Sequence, residues 1–171
     1  MLNIFKRLEL FFKDNYKKVH VRKYAKLLGI SPPTSSTLLK QMHKEGLLNK
    51  TREYNLILYS ANRESKLFIQ LCRAYWLLKL NKCGLLDYLD KKLISQTTIL
   101  FGSFSKAEIN KNSDIDLAIF SVSTTELSLS TFEKKLGRKI QLFKFKDMNA
   151  VKNKELLYNI LNGFVICGGW Q

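Results

Sequence analysis

The run Thr97-Thr98-Ile99-Leu100-Phe101-Gly102-Ser103 is followed, after ten residues, by Asp114-Ile115-Asp116-Leu117-Ala118-Ile119-Phe120. Its reading decides the fold. The first run is apolar and β-rich and ends in a Gly-Ser pair. The second opens with two acids and is then apolar to Phe120. This pattern predicts strand, small-residue turn, short helix and strand, with two carboxylates at the mouth.

The spacing has a chemical consequence. On a strand, residues i and i+2 share a face and lie roughly 6.5–7 Å apart. Asp114 and Asp116 therefore aim two carboxylates at one place. Hard cations such as Mg²⁺ take carboxylate oxygens together with substrate phosphate oxygens. A pair of such ions about 3.5–4 Å apart holds both the attacking and the leaving oxygen of a phosphoryl-type transfer. Gly102 has no Cβ, so backbone and phosphate can approach closely. Ser103 is expected to cap a short helix over residues 104–108, whose free N–H groups favour an anion.

Gly-Ser, ten residues, Asp-x-Asp resembles the signature of the nucleotidyltransferase superfamily that includes DNA polymerase β. It is similar to that of the small prokaryotic minimal nucleotidyltransferases, over about residues 95–169. The resemblance implies an α/β nucleotidyltransferase fold, a small mixed sheet with helices. It implies Asp114 and Asp116 as catalytic residues and Mg²⁺ ligands, and Gly102, Ser103 and Lys106 as nucleotide-binding residues. The implied reaction moves a nucleoside monophosphate from an NTP, ATP foremost, to an acceptor. That acceptor is a protein hydroxyl, a nucleic-acid end or a small molecule; some minimal nucleotidyltransferases are antitoxins that modify a toxin partner.

Three positions depart from the family pattern. Ala107 stands where Gly is usual. Lys106 stands where Arg is frequent, giving a point charge instead of a fork. The third catalytic carboxylate belongs on the next strand, here Lys139-Ile140-Gln141-Leu142-Phe143. Ile140 and Leu142 alternate as a core face, so Gln141 takes the acid's place. Gln accepts no proton and is a poorer cation ligand. Glu133 and Asp147 are the alternative acids, both away from the matching position.

A chain of 171 residues suits one ordinary domain or two small ones, and 46% hydrophobic residues allow real cores. Cys72, Cys83 and Cys167 lack metal-ligand spacing and read as buried thiols in a reducing cytoplasm. No run is long and apolar enough to span a membrane. Charge interrupts the opening Met1–Arg7 too early for a signal peptide. A cytoplasmic protein is expected.

The net charge of +15 is uneven. Residues 1–93 carry 19 Lys/Arg against 7 Asp/Glu, or +12; residues 94–171 carry 10 against 7, or +3. A basic first half favours a polyanionic partner through counterion release. Leu2, Phe5, Leu8, Phe11 and Phe12 recur at helical spacing. Val21–Leu28 predicts a second helix, ended by Gly29. Ser31 is an N-cap with Pro32 at the first helical position, and a third helix runs to about Glu45 with Leu38, Leu39 and Met42 inward. A polar turn over Lys50–Asn55 separates strands Leu47–Thr51 and Leu56–Ser60.

This order, with Ala25, Gly29, Ile30 and Glu45-Gly46-Leu47-Leu48 as its marks, resembles a winged helix-turn-helix domain of prokaryotic transcription regulators over residues 2–61. The second helix of such a motif enters the major groove. The resemblance implies that Ser31, Thr34, Ser36, Thr37 and Lys40 face double-stranded DNA and that Lys50 and Arg52, in the wing, meet phosphate. Hydroxyls read bases weakly, so modest specificity is expected. Ser35 stands where a β-branched apolar residue is common. A winged helix used for protein contacts is the alternative.

Residues 62–93 predict a long helix, a break near Asn81–Gly84 and a shorter helix. Phe68, Tyr75 and Trp76 put apolar groups on more than one face, which points to packing both on their own domain and on a second subunit, and hence to a homodimer. Beyond Phe120, Thr124 and Thr125 are expected to cap a helix ending near Gly137, followed by strand 139–145. Asp147 caps further helix to about Asn162, with Leu156, Leu157, Ile160 and Leu161 inward. A last strand covers 164–167, and the helices lie on one side of the sheet. The domains expected are a winged helix at 1–61, linking helices at 62–93 and a nucleotidyltransferase domain at 94–171. The rival reading is a DNA-binding regulator, or antitoxin-type protein, whose second domain binds nucleotide without turnover.

Overall fold

A computed structural model describes residues 3–93 and 97–169. Leu2 of the first expected helix lies outside the described residues, as do the ends of the expected last domain. The chain divides into two compact units: residues 1–72 with 107–111, and residues 73–106 with 112–171. The segment expected as a linker is therefore shared between both units.

The first unit holds α1 (Asn3–Lys13), α2 (Val21–Leu28), α3 (Pro32–Lys44) and the hairpin of β1 (Leu48–Glu53) and β2 (Leu56–Ala61). Phe5, Leu8, Phe11 and Phe12 are buried along α1, as the 3.6-residue period requires. Gly29 takes the left-handed conformation that ends α2. Ser31 caps α3, accepting the Thr34 N–H at 3.3 Å. Ser35 is buried, and its hydroxyl donates to the Val21 carbonyl at 2.8 Å. The polar residue at that apolar position thus joins α3 to the start of α2. Leu38, expected inward, is only half-buried.

The hairpin is tighter than expected. Tyr54 and Asn55, at φ +46° and +63°, form a two-residue turn of the kind whose twist matches antiparallel strands. Lys50 and Arg52 therefore lie on β1, paired with Tyr59 and Ile57, and not in the turn.

Asn15 ties the segment 107–111 into this unit. Its backbone N–H donates to the Ile109 carbonyl at 2.7 Å, and its Oδ1 accepts the Ile109 N–H at 2.6 Å. Its Nδ2 donates to the Phe11 carbonyl at 2.7 Å. Asn15 and Ile109 are both buried, so this set of bonds is shielded from water.

Helix α4 (Lys66–Lys82) is divided between the units at Cys72/Arg73. Phe68, Tyr75 and Trp76 are buried within the single chain, so they no longer argue for a second subunit. After Gly84, at φ +86°, comes α5 (Leu85–Lys92).

The second unit is built on a four-stranded mixed sheet of order β5-β4-β3-β6. Its strands are β3 (Thr97–Phe101), β4 (Ile115–Phe120), β5 (Ile140–Phe145) and β6 (Phe164–Cys167). β3 runs antiparallel to β4 and β6, and β4 runs parallel to β5. Ile99, Phe101, Ala118 and Phe120 pack with Val151 and Ile160 on one face. Leu100, Leu117 and Ile119, on the other, are also buried. Both faces of the central strands are covered, not one as expected.

Helix α6 (Gly102–Lys106) follows β3, α7 (Ser130–Leu136) precedes β5, and α8 (Lys154–Leu161) precedes β6. α7 is shorter than expected. Ser123 and Thr125 bond each other at 2.9 Å and the Thr125 carbonyl accepts Lys144 Nζ, so these hydroxyl residues hold a loop instead of a cap. Asp147 caps only a three-residue 3-10 turn, Met148–Ala150. Asn153 then caps α8 separately. Leu161 is exposed, contrary to expectation.

Of the cysteines, Cys72 is buried while Cys83 and Cys167 are half-buried, and no disulfide joins any two of them. Among the described residues no helix is long and apolar enough to cross a membrane.

Candidate functional site

The site forms where β3 ends and β4 begins. Gly102 opens α6 at φ +65°, a conformation costly for a residue with a Cβ. Ala107, at φ +54°, stops the helix after Lys106. The helix is therefore Gly102–Lys106, and Ser103 lies inside its first turn instead of capping a helix over 104–108.

Strand pairing places Asp116 opposite Phe101 on β3 and opposite Gln141 on β5. Its carboxylate fills the space beside Gly102: a Cβ there would overlap Asp116 Oδ2. The group that exploits the bare Gly102 Cα is thus the chain's own acid. Asp114 stands exposed two residues earlier. Burial, and after it the neighbouring Asp114 charge, push the Asp116 carboxyl up to about 6. Two like charges held this close, one half-buried, form a donor set that a divalent cation suits.

The remaining expected nucleotide ligand, Lys106, reaches Asn159 Oδ1 of α8 at 3.4 Å. Gln141 is exposed and in register with Asp116, on the strand where the resemblance implies a third acid. Each alternative acid makes a local backbone bond through one oxygen. Glu133 Oε1 accepts the Ile140 N–H at 2.9 Å, joining α7 to β5. Asp147 Oδ1 accepts the Ala150 N–H at 3.0 Å. Among the described residues no group of three or more His, Cys, Asp and Glu side chains converges.

Two arginines outside the motif hold its backbone. Arg73 Nε donates to the Ser105 carbonyl at 2.6 Å, and Arg138 Nη1 donates to the Ser113 carbonyl at 3.1 Å. Nothing in the local sequence marks either one, because their acceptors are backbone carbonyls far along the chain.

The residues expected to face DNA lie in the first unit. Ser31, Thr34, Thr37 and Lys40 are exposed on or just before α3, Ser36 is half-buried, and Lys50 and Arg52 are exposed on β1. Several hydroxyls are engaged within the helix: Ser31 Oγ and Thr34 Oγ1 lie 2.8 Å apart, and Thr37 Oγ1 donates to the Pro33 carbonyl at 3.2 Å.

Residues 85–168 match the family model described as Polymerase beta, Nucleotidyltransferase. The match spans α5, the Gly-Ser pair, both acids and the sheet, and supports the nucleotidyltransferase superfamily for this part of the chain. No curated protein and no solved structure matches the chain.

Proposed function

We propose that the second unit is a Mg²⁺-dependent nucleotidyltransferase that moves a nucleoside monophosphate from an NTP, ATP foremost, to an acceptor hydroxyl. The observation that carries this reading is the half-buried Asp116 carboxylate packed against Gly102 beside Asp114. Asp114 and Asp116 would hold the cation. When bound, Mg²⁺ supplies positive charge to the oxygens of the triphosphate and of the reacting groups. Gly102, Ser103 and Lys106 would bind the triphosphate. The acceptor oxygen would bond to the α-phosphorus as its proton passes to water, the bond to the oxygen bridging the α- and β-phosphorus would break, and pyrophosphate would leave. A protein hydroxyl, as on a toxin partner, is one acceptor class.

The decisive experiment is calorimetric titration with ATP, GTP, CTP and UTP, with and without Mg²⁺. Mg²⁺-dependent binding that Asp114→Ala abolishes supports the reading. Wild-type protein that binds none of the four refutes it.

A second reading has its own observation. Gln141 is in register with Asp116, and Glu133 and Asp147 are engaged elsewhere. That arrangement favours nucleotide binding without turnover, in a cytoplasmic DNA-binding regulator. The first unit's order α1-α2-α3-β1-β2 and its surplus of Lys and Arg support a winged helix that lays α3 on double-stranded DNA. A homodimer would match a two-fold site. Fluorescence titration with duplex DNA at several salt concentrations tests this half. A fall in affinity with salt, weakened in Lys40→Ala, Lys50→Ala and Arg52→Ala together, is expected; a flat salt response refutes phosphate contact.

A further inference from the structure

Arg138, just before β5, touches both halves of the signature. Its Nη1 donates to the carbonyl of Ser113, the residue before Asp114, at 3.1 Å. Its guanidinium carbon lies 5.9 Å from the ring centroid of Phe104, the residue after Ser103, and 6.0 Å from that of Trp76. Phe104 and Trp76 are buried and meet edge to face at 4.6 Å, so they form a firm base. The next residue completes the grip: the Lys139 carbonyl accepts the Ile115 N–H at 2.9 Å. Arg138 and Lys139 therefore hold the backbone on both sides of Asp114. All of these residues belong to the second unit.

We infer that Arg138 is a positioning residue that sets the Asp114 turn against the Gly102-Ser103 turn, and so pre-shapes the nucleotide site. The inference rests on the nucleotide reading above and adds a residue to it. The task suits arginine. A planar guanidinium lies against aromatic rings while its N–H groups project in fixed directions. A lysine ammonium keeps the charge but has neither plane nor fork.

The test uses the full chain with two replacements. Arg138→Lys keeps charge and loses the plane; Arg138→Gln keeps a planar donor and loses charge. Leu157→Ala, in the core on the α8 side, reports general loss of stability. Hydrogen exchange is measured without nucleotide or metal, and ATP affinity is measured with and without Mg²⁺. Arg138→Lys is expected to speed exchange across Asp114–Leu117 about tenfold or more, and to weaken Mg²⁺-dependent ATP binding by a similar factor. Arg138→Gln should keep more of the protection, and Leu157→Ala should lower Tm without a selective effect at 114–117. Unchanged exchange at 114–117 in Arg138→Lys, or better protection in Lys than in Gln, overturns the inference. Wild-type protein that binds no nucleotide instead overturns the nucleotide reading, while the exchange result still decides whether Arg138 holds the turn.

Discussion

The Asp116 carboxylate lies where a side chain on Gly102 would have to begin. The two residues come from different elements, α6 and β4, and each limits the other. Gly102 must be bare, at φ +65°, for the acid to fit. Gly102→Ala therefore combines backbone strain of about 1–2 kcal/mol with displacement of Asp116. Because a carboxylate on a free χ angle can swing aside, the fold should survive with a lowered Tm. Mg²⁺-dependent nucleotide binding should fall at least tenfold. Retention of wild-type affinity in Gly102→Ala would show that Asp116 is not held against Gly102 in the binding state.

The raised Asp116 pKa predicts a pH dependence with a definite sign. The folded value of about 6 lies above the ordinary aspartate value of 3.8. The protonated form is therefore the one that folding favours. The contribution to stability is complete below about pH 4 and is lost as pH rises through about 6. Partial exposure limits it to about 1–2 kcal/mol. Metal-free wild-type protein should thus lose stability between about pH 4 and 6, relative to Asp116→Asn, in denaturant titrations. If the ionised pair holds Mg²⁺, as proposed, saturating Mg²⁺ should reverse the trend. Parallel curves for the two proteins would mean that Asp116 is not desolvated.

Asn15 offers a stability prediction. Its side chain joins the Ile109 N–H to the Phe11 carbonyl in a buried place. Asn15→Ala leaves both groups without that partner, at about 1–3 kcal/mol each. Chemical denaturation should show a loss of about 2–4 kcal/mol, large for a surface-loop asparagine and ordinary for a buried network. A loss under about 0.5 kcal/mol would exclude the network.

Some of this was readable in the chain and some was not, for physical reasons. Asp116 and Gln141 could be placed because a strand's period of two assigns faces from local pattern alone, whereas Asp114 lies just before β4. The register then set Gln141 beside Asp116. α1 and α2 were legible from periodic phenylalanines and from Gly29. Ser103 was misplaced because the turn is made one residue earlier, by the positive φ of Gly102 and of Ala107. Thr124 and Thr125 look like helix caps, but Thr125 spends its hydroxyl and carbonyl on a loop. Arg138 and Asn15 carry no local mark at all. Their partners, Ser113 and Ile109, lie 25 and 94 residues away. Long-range bonds to backbone leave no periodicity to read.

The pairing of Asp116 with Gln141 supplies the sharpest test of turnover. The two side chains leave the sheet on one face from adjacent parallel strands. Gln141→Glu puts a carboxylate there with nearly unchanged shape. A third acid adds a proton acceptor for the attacking hydroxyl, and such a group typically contributes about 10²–10⁴-fold to rate. It also adds a like charge, which pushes the Asp116 pKa further up and makes Mg²⁺ more necessary. If the wild-type site binds nucleotide but lacks a base, Gln141→Glu should raise transfer from α-labelled ATP at least tenfold. That gain should vanish in the double variant Asp114→Ala/Gln141→Glu. Equal transfer in wild type and Gln141→Glu, each above background, would mean that the proton leaves by another route. Transfer absent from both would favour the regulator over the enzyme.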